Sequence, residues 1–294
     1  MKNIFLKHIP LILLFSFLVT PVHGANTPWE IKLPFKQATI SYTIQGSGQG
    51  TETLYIKDYG KQQARYHQTS MSIMGITSKT NTVEITNPEW VYTFDLEEQT
   101  GTKITNPAQI YKSEYNKLSR AEKKNVDKNA LELGPSMMEG MGGETRKKAS
   151  TILGYDCDVT SMMNMTTIHV IHGTDVLLRS EMSIMGMKSS TEATKIDTGA
   201  RIDDTLFLPP NGIVAVHDQQ AEAMMQQMIQ NMMEQLKHPD GAERIRNNPQ
   251  MMNEGGMQGG GIPPGDQPPA GQNNQEMMDS MKQGLDALKG LFGN

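Results

Sequence analysis

Between Ala38 and Ile104 apolar side chains return at every second residue, a period that belongs to strands and not to helices. Ala38, Ile40, Tyr42 and Ile44 alternate with Thr39, Ser41 and Thr43. Leu54 and Ile56 continue the pattern, and Trp90, Tyr92 and Phe94 alternate with Val91, Thr93 and Asp95. Turn chemistry interrupts it at Gly46 to Gly50, Tyr59-Gly60, Asn87-Pro88 and Gln99 to Gly101. Short one-faced strands joined by short turns predict an antiparallel meander with one buried face. The pattern resumes at Thr151, where Val176, Leu178, Met182 and Ile184 share a face, and it ends at Asp204 to Gly212.

Tyr111 to Leu133 is rich in Lys, Glu, Asn and Ala. Ser119 and Glu122 have capping-box spacing, and Gly134-Pro135 follows as a stop. A helix starting near Ser119 and covering part of the sheet is expected. A second stripe, Ala221, Met224, Met225, Met228, Ile229, Met232, Met233 and Leu236, also has helical spacing. Residues 247–276 hold seven Gly and five Pro, too many to bury a core. Met277, Met278, Met281, Leu285, Leu288 and Leu291 then form a short amphipathic stripe.

At the N-terminus, Lys2 and Lys7 precede an apolar run from Leu11 to Val19 and the small-residue site Val22-His23-Gly24. This reads as a signal peptide cleaved after Gly24, since the run is too short to span a bilayer. The expected organisation is a signal peptide at 1–24, a β domain at 25–218 and a Met-rich helix at 219–238. A disordered linker at 239–276 and a terminal helix at 277–294 complete it.

Charge and chemistry exclude several classes. Basic residues number 27 against 32 acidic ones, without a Lys/Arg cluster, which argues against a nucleic-acid partner. A single cysteine rules out an intramolecular disulfide framework. No nucleophile elbow, phosphate loop or His-Glu-x-x-His helix is present, so no catalytic residue and no cofactor is assigned. His169 and His172 lie in a strand pattern whose odd spacing sends them to opposite faces. Asp156 and Asp158 share a strand face as solvated carboxylates, and Cys157 between them reads as a buried, inert thiol.

The 23 methionines admit three readings: core filling, adaptable apolar contact, and soft ligation of Cu(I). For copper the candidate ligands are Met224, Met225, Met228, Met232 and Met233. One internal echo stands out. Met71-Ser72-Ile73-Met74-Gly75-Ile76-Thr77-Ser78 recurs as Met182-Ser183-Ile184-Met185-Gly186-Met187-Lys188-Ser189. It predicts two similar strand–turn–strand units, whose Met71, Ile73, Met74, Met182, Ile184 and Met185 would rim one opening.

Several segments together resemble the LolA-like periplasmic lipoprotein-carrier superfamily, including exported relatives of the DUF4412 type. Leu54-Tyr55-Ile56-Lys57 with Ala64-Arg65-Tyr66 is similar to its early hairpin. Trp90 to Thr100 looks like its aromatic strand, Ile152-Leu153-Gly154-Tyr155-Asp156-Cys157 like its Gly-Tyr-x-Cys strand, and Asp204 to Pro210 like its closing element. The carriers place an Arg after the hairpin Lys to gate their cavity; Asp58 stands there, so that role is not carried over. The resemblance covers about residues 35–216.

It implies an incomplete antiparallel β-barrel covered by amphipathic helices, α+β and mainly β, around an apolar cavity. The expected protein is a periplasmic, non-enzymatic binder of a lipid, an acyl chain or a lipidated protein. Ile40, Tyr42, Leu54, Ile56, Trp90, Tyr92, Phe94, Val176 and Leu178 would line the cavity. The alternatives are a copper-handling protein and an envelope interaction protein acting through 277–294, with peripheral membrane contact there.

Overall fold

The computed structural model describes residues 33–73, 76–140, 143–162, 165–184 and 187–247. The signal-peptide reading of 1–24, the loop residues Met74 and Met185, most of the 239–276 linker and the 277–294 helix lie outside the described residues.

Alternation produces six consecutive strands: β1 (Ala38–Gly46), β2 (Gly48–Lys57), β3 (Gln62–Ile73), β4 (Ile76–Thr86), β5 (Trp90–Asp95) and β6 (Thr100–Thr105). Two helices follow, α1 (Pro107–Lys117) and α2 (Arg120–Gly140). A second meander comprises β7 (Gly143–Ile152), β8 (Tyr155–Met162), β9 (Thr166–Ile171), β10 (Leu177–Ile184) and β11 (Met187–Asp197). A strap then leads to β12 (Ala215–His217), α3 (Gln219–Leu236) and α4 (Gly241–Asn247). These strands form one open sheet ordered β12-β6-β5-β4-β3-β2-β1-β11-β10-β9-β8-β7. The two meanders join where β1 pairs with β11, and only β12, against β6, is parallel. The fold is therefore α+β with a dominant antiparallel sheet.

Helix placement departs from expectation in three ways. Asn106 accepts from Ala108 N at 2.9 Å and caps α1, an additional helix that precedes the expected start near Ser119, with Pro107 at its first position. The Ser119–Glu122 capping box forms as its spacing requires, and it opens α2. That helix runs through Gly134-Pro135 to Gly140. A glycine before proline carries no Cβ to clash with the ring, so the dipeptide is a weaker stop than X-Pro generally is. The third departure is α4, which stands inside the segment assigned to the linker and buries Ala242 and Ile245.

The helices also cover less than expected. Tyr111, Val126, Ile229, Met232, Met233, Leu236 and Ile245 pack into one cluster drawn from α1, α2, α3 and α4 alone. Ile229, Met232, Met233 and Leu236 of the Met-rich stripe pack on other helices, whereas Met224 is exposed. Two further clusters serve the sheet. One joins β1 and β2 to β8–β11 beneath Leu33 and Phe35, and the other packs β3–β5 against Ile202, Phe207 and Ile213 of the strap.

Candidate functional site

Opposed residues on neighbouring strands share a face. Tyr42 faces Glu52, Glu52 faces His67, and Arg65 faces both Leu54 and Glu84. One face of β1–β4 thus passes from apolar positions (Ile40, Leu54, Ile56) into a row of charged ones. Glu52 occupies a core position, in phase with Leu54 and Ile56, and is 5% exposed. Its carboxylate is ion-paired with the Arg65 guanidinium and accepts from His67 Nδ1 at 3.0 Å. Arg65 Nε also lies 3.9 Å from a carboxylate oxygen of Glu84.

The sheet curves toward this face. Tyr42 donates its hydroxyl to the Leu177 carbonyl at 2.8 Å, reaching across β11 over the small Ala193 opposite it. Arg65 and Asp175, in the turn before β10, feel one another's charge. Three strands separate β3 from β10, so a flat sheet would hold these groups about 19 Å apart. Bulges at Ser41/Tyr42 and at Leu177/Arg179 supply local bends.

Electrostatics follow from that enclosure. Burial alone would raise the Glu52 carboxyl, but the Arg65 guanidinium and the His67 ring outweigh it and hold it below the ordinary range. Glu84 and Asp175 shift the other way because burial dominates over the attraction of Arg65. Three carboxylates thus share the cations Arg65 and, when protonated, His67. The row keeps some solvent: the side chains of Arg65, His67 and Glu84 are 25%, 21% and 23% exposed. Among the described residues no group of three His, Cys, Asp or Glu is arranged to hold a metal.

The expected cavity residues divide between two packed regions. Ile40, Tyr42, Leu54, Ile56, Val176 and Leu178 belong to the cluster beneath Leu33 and Phe35, each at most 4% exposed. Trp90, Tyr92 and Phe94 do not join them. Register places Asp95, through Thr82 and His67, on the face of Tyr42. The aromatic set therefore points to the other face, where Phe94 lies in the strap-covered core. There Lys103 Nζ sits 4.2 Å from the Trp90 ring centre and His217 meets the ring edge-on. Beside the first cluster lies an open depression of about 360 Å³, lined by Pro34, Phe35, Lys36, Gln37, Tyr155 and Thr198. Phe35 and Tyr155 meet edge to face at 6.3 Å between the depression and the apolar cluster.

Other candidates resolve simply. His169 bonds Ser150 and His172 bonds Asp158, so the two rings have separate partners. Cys157 is fully buried and its thiol is pushed up by that burial. Lys57 pairs with Asp204 and lies over the Phe207 ring, which pins the strap. The echo forms two hairpins whose ladders close at Ile73/Ile76 and Ile184/Met187, with Met71 and Met182 exposed near their tips. Of the copper candidates, Met232 and Met233 are buried among helices and Met224 is exposed. The charged row of Glu52, Arg65, His67, Glu84 and Asp175 was missed in the sequence, although Glu52 in a core phase was a visible signal.

No family model matches the chain, and no curated protein matches it. Among solved structures, an uncharacterised conserved protein from Thermus thermophilus overlaps with 63% of this chain and 91% of its own, at 5% identity and a TM-score of 0.36. PNGF-II in its C2 crystal form overlaps with 65% of this chain at 15% identity and a TM-score of 0.33, and in its P21 form with 65% at 13% and 0.32. The chain spans about a third of PNGF-II, 32% in the first form and 33% in the second.

Proposed function

We propose that this chain is an exported, non-enzymatic, LolA-like binding protein that takes the apolar part of a lipid, an acyl chain or a lipidated partner. One observation carries the reading. An apolar cluster on a curved sheet is covered at one end by Leu33 and Phe35 among the described residues before β1, and a partly solvated charged row borders it. An acyl chain enters from the depression beside Phe35 and Tyr155 by displacing the Phe35 ring, and a polar head group meets solvent. Displacing a large aromatic ring costs little when an apolar chain of similar area replaces it.

Native mass spectrometry of the protein purified from its own export compartment tests this. Co-purified lipid is expected, and Phe35→Ala changes the affinity for oleate several-fold because the cover is reduced. Absence of any lipid adduct, with no binding of fatty acids of several chain lengths, would sink the reading. A copper adduct lost on substituting Met224, Met225, Met228, Met232 and Met233 with Leu would promote the copper alternative instead. The expected result is no such adduct, since Met232 and Met233 are packed inside a helical cluster and cannot turn out to join the exposed Met224 on a metal without exposing apolar surface.

A further inference from the structure

Charge is divided unevenly around the apolar cluster of β1, β2 and β8–β11. Toward β3 and β4 its border is the row of Glu52, Glu84 and Arg65, with Asp175 near by, where three carboxylates share one fixed cation. At the depression beside Phe35 the sign reverses. Six residues line it, and Lys36 is the only one that carries a charge. Thr198 and Tyr155 add hydroxyls, and Gln37 an amide that already donates to Ala200 O at 3.0 Å. Carboxylates adjacent in sequence are engaged elsewhere. Asp197 holds Lys195 and the amides of Gly199 and Ala200, Asp156 faces Lys148, and Asp58 does not line the depression. Lys36 is exposed and has no ion-pair partner among the described residues.

The wall that carries Lys36 is fixed on both sides of Phe35. Leu33 N donates to Tyr59 O at 3.1 Å and Tyr59 N donates to Lys36 O at 3.0 Å, so both residues are tied to the turn at Asp58–Gly60. Leu33 packs so close to that turn that a Cβ on Gly60 would stand 3.0 Å from its Cγ. Gln37 ties the next residue to Ala200. With the backbone held, the Phe35 side chain is the part that can swing. It is 7% exposed, between the depression and the cluster, and edge to face with Tyr155. Ala38, Ile40 and Tyr42 belong to the same cluster and share one face of β1. They form an apolar lane of about 13 Å that begins two residues from Lys36 and ends opposite Glu52.

We infer that the ligand of this depression is a single-chain amphiphile with an anionic head, a fatty acid, whose carboxylate is held at the mouth by Lys36 and Thr198. Its tail passes the displaced Phe35 ring and lies along Ala38, Ile40 and Tyr42. The inference rests on the apolar-ligand reading above and adds the head group to it. A few polar groups at the mouth of an apolar site fix a ligand's orientation. A lysine can lay its stem on apolar surface and keep its ammonium in water, so Lys36 meets a carboxylate without being buried. Entering head first, the carboxylate would end beside Glu52 and Glu84, where desolvation and like charge both oppose it. A cationic head meets the reverse pattern, repelled at the mouth and competing with Arg65 on the row. A neutral head gains nothing from Lys36, and a doubly charged one leaves a charge uncompensated there.

Equilibrium dialysis of the full chain against dodecanoate, dodecanol, dodecylamine and monododecyl phosphate, each below its micelle concentration at neutral pH, tests the assignment. Dodecanoate is expected to bind about fivefold or more tightly than dodecanol, with dodecylamine weakest. Lys36→Gln should bring dodecanoate to the level of dodecanol without changing dodecanol, and Lys36→Glu should reverse the order of dodecanoate and dodecylamine. Lys36 is exposed, so both variants should fold, and unchanged circular dichroism melts check that. Lys61→Glu, on the adjoining turn but outside the depression, should leave every affinity unchanged, which separates local contact from net charge. Tighter binding of monododecyl phosphate than of dodecanoate would overturn the carboxylate in favour of a phosphate monoester. Equal binding of dodecanoate, dodecanol and dodecylamine, or an anion preference that survives Lys36→Glu, would overturn the head-group assignment and leave the acyl-chain reading standing. Preference for dodecylamine in the unmodified chain would overturn it in favour of a cationic head on the acidic row. Absence of binding by all four would sink the acyl-chain reading and this assignment with it.

Discussion

Arg65→Met is expected to cost about 3–5 kcal/mol at neutral pH, the range for removing one partner of a buried ion pair. The guanidinium is the one cation fixed among Glu52, Glu84 and the nearby Asp175. Without it Glu52, 5% exposed and in a core position, retains a single neighbour, His67. Glu52→Met should cost less when combined with Arg65→Met than alone, because the pair then becomes apolar together. A loss below about 1 kcal/mol in the single Arg65 variant, the value of an exposed pair, would show that solvent screens the row and that the curvature argument is mistaken.

The row also dictates a dependence on pH whose sign differs between its members. Glu52 has a lowered folded-state pKa, so its contribution is present above the carboxylate range and is lost as pH falls through it. Glu84 and Asp175 have raised values, so the fold loses stability as pH rises through those values and their protons leave. Glu52→Gln should therefore lower the melting midpoint at pH 8, while Glu84→Gln should leave it unchanged or raise it. Arg65→Met should melt higher at pH 5 than at pH 8, because protonation relieves the unpaired carboxylates. Midpoints for the three variants at those two pH values decide the matter, and equal responses of Glu52→Gln and Glu84→Gln would contradict it.

How far the sequence was legible follows from what alternation encodes. A period of two says which residues of one strand share a face, and Ile40 with Tyr42, Leu54 with Ile56, and Trp90 with Phe94 were grouped correctly. It does not say which face of one strand continues into the next, because register depends on turn length and pairing. Trp90, Tyr92 and Phe94 were thus joined to Ile40 and Tyr42, although Asp95 is the residue that shares their face. The sheet changes its apolar side between β2 and β3, where Leu54 is opposed by Arg65 and Tyr55 by Ala64. No local pattern marks that change except the charges themselves: Glu52 in phase with Leu54, and Arg65 and His67 alternating with Ala64 and Tyr66. The strand pairings of the echo were legible because a repeated hairpin needs only local pairing. The helical cluster was not, since an apolar stripe states that a helix has a partner without naming it.

Ending the chain after His238 instead of after Asn247 is expected to lower the melting midpoint by about 5–10 °C, although composition places 239–247 in a linker. The segment forms α4, where Gly241, Ala242 and Ile245 are buried. Ile245, 1% exposed, packs with Tyr111, Val126 and Leu236, and its burial contributes about 1.5–3 kcal/mol. The approach is close enough that a Cβ on Gly241 would lie 2.5 Å from the Gln235 carbonyl oxygen and 2.8 Å from Asn129 Nδ2. Asn129 sits beneath this contact, 1% exposed, donating to Leu236 O at 2.9 Å and His238 O at 2.6 Å, while Asn125 donates to Lys237 O at 2.8 Å. Two asparagines one turn apart on α2 thus satisfy carbonyls that the end of α3 leaves without helical partners. Removing α4 opens that buried amide to water and uncovers Ile229 and Leu236 beside it. Ile245→Ala in the full chain should reproduce a large part of the loss, and Asn129→Ala should add about 1–3 kcal/mol for each carbonyl left buried and unpaired. Equal midpoints for the two truncations would mean that α4 rests on the cluster without supporting it.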